Sequence, residues 1–222
     1  MATPVIMGRA TLHSLTPTRE ECRRHPTTLD DLDISERTTR KGPSVSALTA
    51  MVPCMLPRSA ETDTHWEAFR RYAGLDHDDH SAGSFGDSPE MATKLADLVI
   101  AGVKRATASL VRDYREGREP IPKPGDFVMV LDGKGRPRFI WRTTEVTIKP
   151  LSQVDEAFAW DEGEGDRTRD WWLDTHCHYF ARQATREGFE LNDEILIVFE
   201  RFEVVWPLDV ADAITGPTSA ST

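Results

Sequence analysis

Gly102-Val103-Lys104-Arg105-Ala106-Thr107-Ala108-Ser109 follows a helix-like run and opens a strand-like one. A glycine that ends a helix frees the backbone to turn sharply, and side chains just past such a turn often face a cleft. The stretch sets a Lys, an Arg, a Thr and a Ser at that junction. With the acidic stretch Asp161–Asp166, it holds the chemistry that can be read in this chain.

Upstream of the junction, Ser88 is a good N-cap and Pro89 fits the first helical position. Met91, Leu95, Leu98 and Val99 recur at helical spacing up to Gly102. Further back, Trp66, Phe69 and Ala73 mark a helix from His65 to Ala73 that Gly74 stops. The polar loop Asp76-His77-Asp78-Asp79-His80 follows and is expected to be solvated rather than to hold a metal. Downstream, Arg112 to Pro124 reads as a charged loop. Asp126–Leu131 and Phe139–Ile148 read as two strands joined by the hairpin turn Asp132-Gly133-Lys134-Gly135. Ser152 is expected to cap a short helix with Val154, Ala157 and Phe158 inward, and Asp161–Asp166 to form a flexible acidic loop. Asp166 is expected to cap a longer helix, Arg167 to Glu187, with the stripe Trp172, His176, Tyr179, Phe180 and Ala184. Ile195 to Val205 is the last strand. Strands and helices interleave without a βαβ rhythm, so the body, residues 64–207, is expected to be α+β, a small mixed barrel with helices packed on it. It has no Gly-rich phosphate loop and no Walker motif.

Residues 1–60 are rich in Thr, Pro, Arg and Ser and lack sustained periodicity. They are expected to be a disordered extension or sequence upstream of the natural start, with Met51 and Met55 as later candidates. The one apolar run there, Val45 to Leu56, is too short to span a membrane and contains Pro53. Residues 208–222 read as a disordered tail. Hydrophobic residues make up 39% of the 222, low for a single packed globule, which fits a folded body with tails. Cys22, Cys54 and Cys177 are far apart and odd in number, so no disulfide framework is expected and a reducing cytoplasm is the expected compartment. His176-Cys177-His178 lacks a second cluster to complete four metal ligands, and no cofactor is implied.

Net charge is -10, which argues against a general nucleic-acid coat protein, and no DNA partner is expected. The charge is uneven: Lys104 to Lys149 holds 11 Lys and Arg against 6 Asp and Glu, whereas Asp155 to Asp174 holds 2 Arg against 8 acids. These stretches are either two solvated faces or the opposite walls of a cleft. In a cleft, Lys104 in an apolar pocket can act as base or hold an oxyanion. Thr107 can act as nucleophile once a base takes its proton, and Glu162 as general acid or base. The three suffice for acyl transfer from an amide. From spacing alone the plainer reading is a surface salt bridge between Lys104 and Glu162, with Thr107 an ordinary strand residue.

The order of several short motifs points further. Gly102-x-Lys104-x-x-Thr107, at a helix end entering a strand, resembles the signature of the ASCH domain family. Trp66-Glu67-Ala68-Phe69, Phe85-Gly86-Asp87, Pro122 to Asp126, Asp161 to Asp166, Trp171-Trp172-Leu173, His176 and Phe199 to Phe202 resemble its larger bacterial branch. The resemblance covers 64–207 and implies a small β-barrel related to the PUA RNA-binding domains. It also implies an RNA-linked role: an RNA-binding module, a ribonuclease, or an amidohydrolase. In the amidohydrolase that removes the acetyl group of N(4)-acetylcytidine the catalytic set is a Lys, a Thr and a Glu, which Lys104, Thr107 and Glu162 match. Arg105 replaces a Thr of that enzyme's motif, and the Gly-Glu-Gly-Asp loop and Trp-rich helix are extra. The expectation is therefore an amidohydrolase acting on a modified pyrimidine nucleoside, with Lys104 as base and oxyanion partner, Thr107 as nucleophile and Glu162 as proton donor. Arg105, Ser109, Asp166 and His176 are expected to bind substrate or support these. A short single-stranded RNA is the alternative partner, bound without catalysis or cleaved.

Overall fold

A computed structural model of the chain describes residues 59–114 and 120–212. The expected extension, through residue 58, and the end of the expected tail, from 213, lie outside the described residues. Four helices, α1 (Ala60–Ala73), α2 (Pro89–Ile100), α3 (Glu156–Glu162) and α4 (Arg169–Glu187), accompany five strands. The strands are β1 (Ser81–Gly83), β2 (Ala106–Leu110), β3 (Phe127–Leu131), β4 (Pro137–Pro150) and β5 (Leu196–Trp206). They form one sheet in the order β1-β3-β4-β5-β2, curled into a half-barrel. Only the β1–β3 pair is parallel. Register shifts between Ile140 and Trp141 and between Thr143 and Glu145 bend β4, as bulges do. The expected mixed α+β barrel is the fold found.

The strand patterns explain the layering. In β3, Val128 and Val130 join the main core while Met129 and Leu131 join a second cluster with Trp66, Phe69 and Ile140. A strand covered on both faces reads as the continuous apolar run seen there. In β5, Phe199 meets Phe158 of α3 edge-on at 4.8 Å and Trp172 of α4 at 5.9 Å. Successive strand residues point to opposite faces, so Glu200 turns to the concave side of the sheet. Thr107 lies directly opposite Glu200 on the antiparallel neighbour β2.

Local readings needed correcting at several points. The first helix starts five residues earlier than His65, capped by Ser59, whose side chain accepts from Thr62 N while the Thr62 side chain accepts from Ser59 N. Ala73, expected inward, is exposed. Asp155, not Ser152, caps α3 by accepting from Phe158 N at 2.8 Å, and Ala157 faces solvent while Ala159 is buried. The acidic stretch is not a flexible loop: α3 continues through Glu162 and ends at Gly163. Thr168, not Asp166, caps α4, with Asp166 in turn accepting from the Thr168 amide and hydroxyl. His80 is not solvated but stacks on Trp66 at 3.9 Å. The stripe on α4 is buried as expected.

Candidate active site

Lys104 is delivered to the interior by the end of α2. The amides of Val103 and Lys104 both donate to Leu98 O, and Gly102 takes the left-handed conformation that only glycine adopts without strain. The acidic segment meets this turn backbone to backbone, with Arg105 N donating to Asp161 O at 2.6 Å. Gly163 makes the approach possible: its φ is 70°, and a Cβ there would stand 2.3 Å from Val103 O. The two segments that differ so much in charge therefore touch, and the walls of opposite charge are one contact.

At that contact three ionisable groups, Lys104, Glu162 and His176, are buried, and a fourth, Glu164, is nearly so. Lys104 and Glu162 are fully buried, and Lys104 Nζ lies 3.5 Å from Glu162 Oε1 and 2.7 Å from Glu164 Oε1. His176 Nε2 lies 3.4 Å from Glu162 Oε2, which also accepts from the Trp172 indole. His176 Nδ1 donates to Trp172 O at 2.9 Å, and its ring stacks on the Trp172 ring at 3.8 Å, which fixes its orientation. Burial pulls the Lys104 pKa down, but Glu162 and Glu164 outweigh it and hold the ammonium above its usual range. Burial likewise pushes the Glu162 carboxyl up, and Lys104 and His176 outweigh it and hold it below the usual carboxylate range. Burial lowers His176, and Glu162 reverses this to a net rise. The salt bridge expected at the surface is thus a buried network, and its charges assign Lys104 the proton and Glu162 the negative charge.

Beside this network the concave face of the sheet opens to solvent. A cavity of about 480 Å³ is walled by the segment His77–Ser81, by Lys123, Gly125 and Asp126, and by Tyr114, Val128 and Glu200. The last three also line a narrower recess with Thr107, Ser109, Phe85 and Trp141. That recess has room for about one water-sized probe, close to 10 Å³. Phe85 links the recess to the ionic network, since Lys104 Nζ lies 5.4 Å from its ring centroid. Ser109 Oγ and Tyr114 OH share a hydrogen bond of 2.8 Å. Glu200 is 5% exposed, Thr143 Oγ1 donates to its Oε1 at 2.6 Å, and burial pushes its carboxyl up to about 7.

The expected site residues divide accordingly. Lys104, Glu162 and His176 come together in the buried network; Thr107 and Ser109 line the recess. Lys104, Glu162 and His176 line neither cavity, and nor do Arg105 and Asp166. The Arg105 guanidinium donates to Val99 O and Lys104 O at 2.7 Å each and pairs with Asp212 at 2.5 Å. Asp166 sits at the start of α4, its pKa lowered by the Thr168 side-chain and backbone hydrogen bonds. Glu164, Glu200 and Tyr114 were missed. Glu200 left a signal: in β5 it shares the register of Val198, Phe202 and Val204, buried apolar residues of one face. Among the described residues no group of three or more His, Cys, Asp or Glu is placed to hold a metal, and no helix is long and apolar enough to cross a membrane.

Comparison with known proteins agrees with this architecture. Residues 81–206 match the sequence model of the ASCH domain. A crystal structure of a protein from Enterococcus faecalis V583, assigned to the family DUF984, is 34% identical with a TM-score of 0.60. The match covers 65% of this chain and 92% of that one. The ASCH domain from Lactobacillus crispatus JV V101 is 32% identical with a TM-score of 0.58, over 65% of this chain and 91% of that one. No curated protein matches significantly.

Proposed function

Because the chain belongs to the ASCH domain family, whose fold is PUA-like and related to RNA binding, we propose that it hydrolyses the exocyclic amide of a modified pyrimidine nucleoside, N(4)-acetylcytidine being the first candidate. The observation that carries the reading is the fully buried contact between Lys104 and Glu162, 58 positions apart in sequence, beside the recess lined by Thr107. Desolvating two charges is expensive, and a buried pair is often no more stable than apolar residues of the same size, so such a network is a candidate for function.

The residues expected from the sequence are kept and two roles are exchanged. Thr107 Oγ1 attacks the acyl carbon, and the Glu162 carboxylate receives the hydroxyl proton. The Lys104 ammonium holds the oxyanion and gives a proton to the departing exocyclic nitrogen, restoring the amino group of the base. Water then cleaves the acyl–Thr107 ester, returning the hydroxyl and releasing the acid. His176, its ring fixed by Trp172, positions Glu162. An acyl group reaches Thr107 only when the Phe85 ring moves aside, since the recess holds no more than about one water.

A wide cavity of about 480 Å³ falls within the roughly 300–1,000 Å³ usual for small-molecule sites. Its rim carries Asp78, Asp79 and Asp126 against Lys123, which suits an uncharged nucleoside better than a phosphate chain. The test is turnover of N(4)-acetylcytidine, followed by mass spectrometry. Thr107→Ser retains partial activity, whereas Thr107→Val and Lys104→Arg abolish it, because Arg supplies charge but no proton near neutral pH. Absence of turnover by the wild type on every acylated cytidine tried rejects the proposal.

A further inference from the structure

Glu200 is a buried carboxyl that the proposed reaction leaves unused. Glu200 lies where the wide cavity narrows, lining both it and the inner recess, directly across the sheet from Thr107. It has no cation among its hydrogen-bond partners; the Thr143 hydroxyl donates to one oxygen and the Trp141 indole lies beside it. A carboxyl at 5% exposure without a neutralising partner is stable as the neutral acid, and burial does push it up to about 7. The neutral acid presents one donor and one acceptor side by side.

Resting on the nucleoside reading of the same cleft, we infer that Glu200 selects the base by reading an amidine edge. Such an edge sets a ring-nitrogen acceptor beside an exocyclic N–H, as in cytosine and its N(4)-acylated forms. The acid O–H donates to the ring nitrogen, and the carbonyl oxygen accepts from the exocyclic N–H. Thr143 Oγ1 donates to Oε1, which keeps that oxygen the acceptor and the proton on Oε2, so uracil, whose edge is reversed with N3–H beside O4, leaves the acid facing the wrong partner. A site built to hydrogen-bond one edge rejects another by leaving buried polar groups unpaired. Selection by Glu200 therefore places the scissile exocyclic amide at the throat, next to Thr107, and sends uracil away.

The other charged groups around the cavity are His77, Asp78, Asp79 and His80 from the segment leading into β1, and Lys123 and Asp126 from the turn before β3. Asp126 adds to the rise at Glu200. A variant separates these groups from Glu200. In Glu200→Gln the amide oxygen takes the Thr143 donor and the NH2 group remains for the ring nitrogen, so the donor no longer depends on pH.

The experiment measures cytidine and uridine affinities by calorimetry on the full chain between about pH 6 and pH 8. The wild type prefers cytidine at the lower pH and loses roughly tenfold of that preference at the higher one, as the acid fraction falls from about nine-tenths to one-tenth. Glu200→Gln keeps the preference at both pH values, and Glu200→Ala brings the two ligands within about twofold. Equal selectivity of wild type and Glu200→Ala overturns the inference, as does a wild-type preference that ignores pH, or no cytidine binding up to about 10 mM. Pairing these data with the turnover assay keeps the two conclusions apart: cytidine selection without deacetylation removes the hydrolase and leaves the reader, and deacetylation with no role for Glu200 does the reverse.

Discussion

Replacing Lys104 with Met removes the positive charge that faces both Glu162 and Glu164. Met has similar length and is compatible with the apolar wall that Phe85 gives, so loss of packing is small. What remains is a net negative charge at a site where Glu162 is fully buried and Glu164 is 13% exposed. The cheapest relief is uptake of a proton by one carboxyl. Protonating a glutamate whose free value is near 4.3 costs about 3.7 kcal/mol at pH 7 and about 1 kcal/mol at pH 5, at about 1.36 kcal/mol per pH unit. The pH 7 figure agrees with the roughly 3–5 kcal/mol found when one partner of a buried pair is removed.

The sign follows from linkage. In the wild type the Glu162 pKa is depressed on folding, so its contribution is present above the unfolded value and is lost only as pH falls through the lower folded value. Stability from this group is therefore constant between pH 5 and 7. In Lys104→Met the surviving proton site is raised above the unfolded value, so stability is lost as pH rises. Urea unfolding of both proteins at the two pH values should show a deficit about 2.5 kcal/mol larger at pH 7, with unchanged slope on urea. A deficit that is equal at both pH values refutes the charge argument, and a deficit below about 1 kcal/mol at pH 7 refutes the burial of the network.

Two further outcomes follow from the backbone. Gly163→Ala and Gly74→Ala both place Ala in the left-handed region, at about 1–2 kcal/mol each, but only residue 163 also drives a Cβ to 2.3 Å from a carbonyl oxygen. Urea midpoints should therefore fall further for Gly163→Ala, and equal losses would mean that the Val103 contact yields freely. For the expected domain limits, a chain of residues 59–212 should melt within a few degrees of the full chain, whereas one starting at Glu61 lacks the Ser59 cap and should lose about 1 kcal/mol.

How far the sequence speaks depends on whether a residue's role is local. The Ser88 cap, the hairpin at Asp132–Gly135 and the α4 stripe rest on short-range geometry, and they were legible. Three-residue β1 was not, because Ser81–Gly83 has too few residues to show alternation and gains its place by pairing with β3. Lys104 and Glu162 were legible as partners through the resemblance, yet their burial was not, because it depends on Gly163 letting two backbones touch. Arg105 looks like a cleft residue because of its neighbours. It turns instead to the Val99 carbonyl in the last turn of α2 and to Asp212. Glu200 reads as one polar residue in an apolar strand, and only the face on which it falls shows that it is inward.

The arrangement also explains how so acidic a chain can hold a site of this kind. In the network Lys104 faces Glu162 and Glu164 at 3.5 and 2.7 Å, so these charges offset one another within a protein at -10 and set up only a short-range field. Lys104 remains protonated because Glu162 and Glu164 touch it, not because the protein as a whole is negative. The surface charge instead acts at the cleft mouth, where Asp78, Asp79 and Asp126 meet an approaching ligand first. A phosphorylated ligand loses binding there, and a neutral nucleoside does not. On the proposed reading the two layers do separate things: the rim sorts by net charge, and Glu200, a carboxyl of the throat with no cation among its hydrogen-bond partners, sorts by the pattern of donors and acceptors. The layers meet at Asp126, which adds to the rise at Glu200, so neutralising Asp78 and Asp79 instead should alter which ligands enter without altering the preference of Glu200 among those that do.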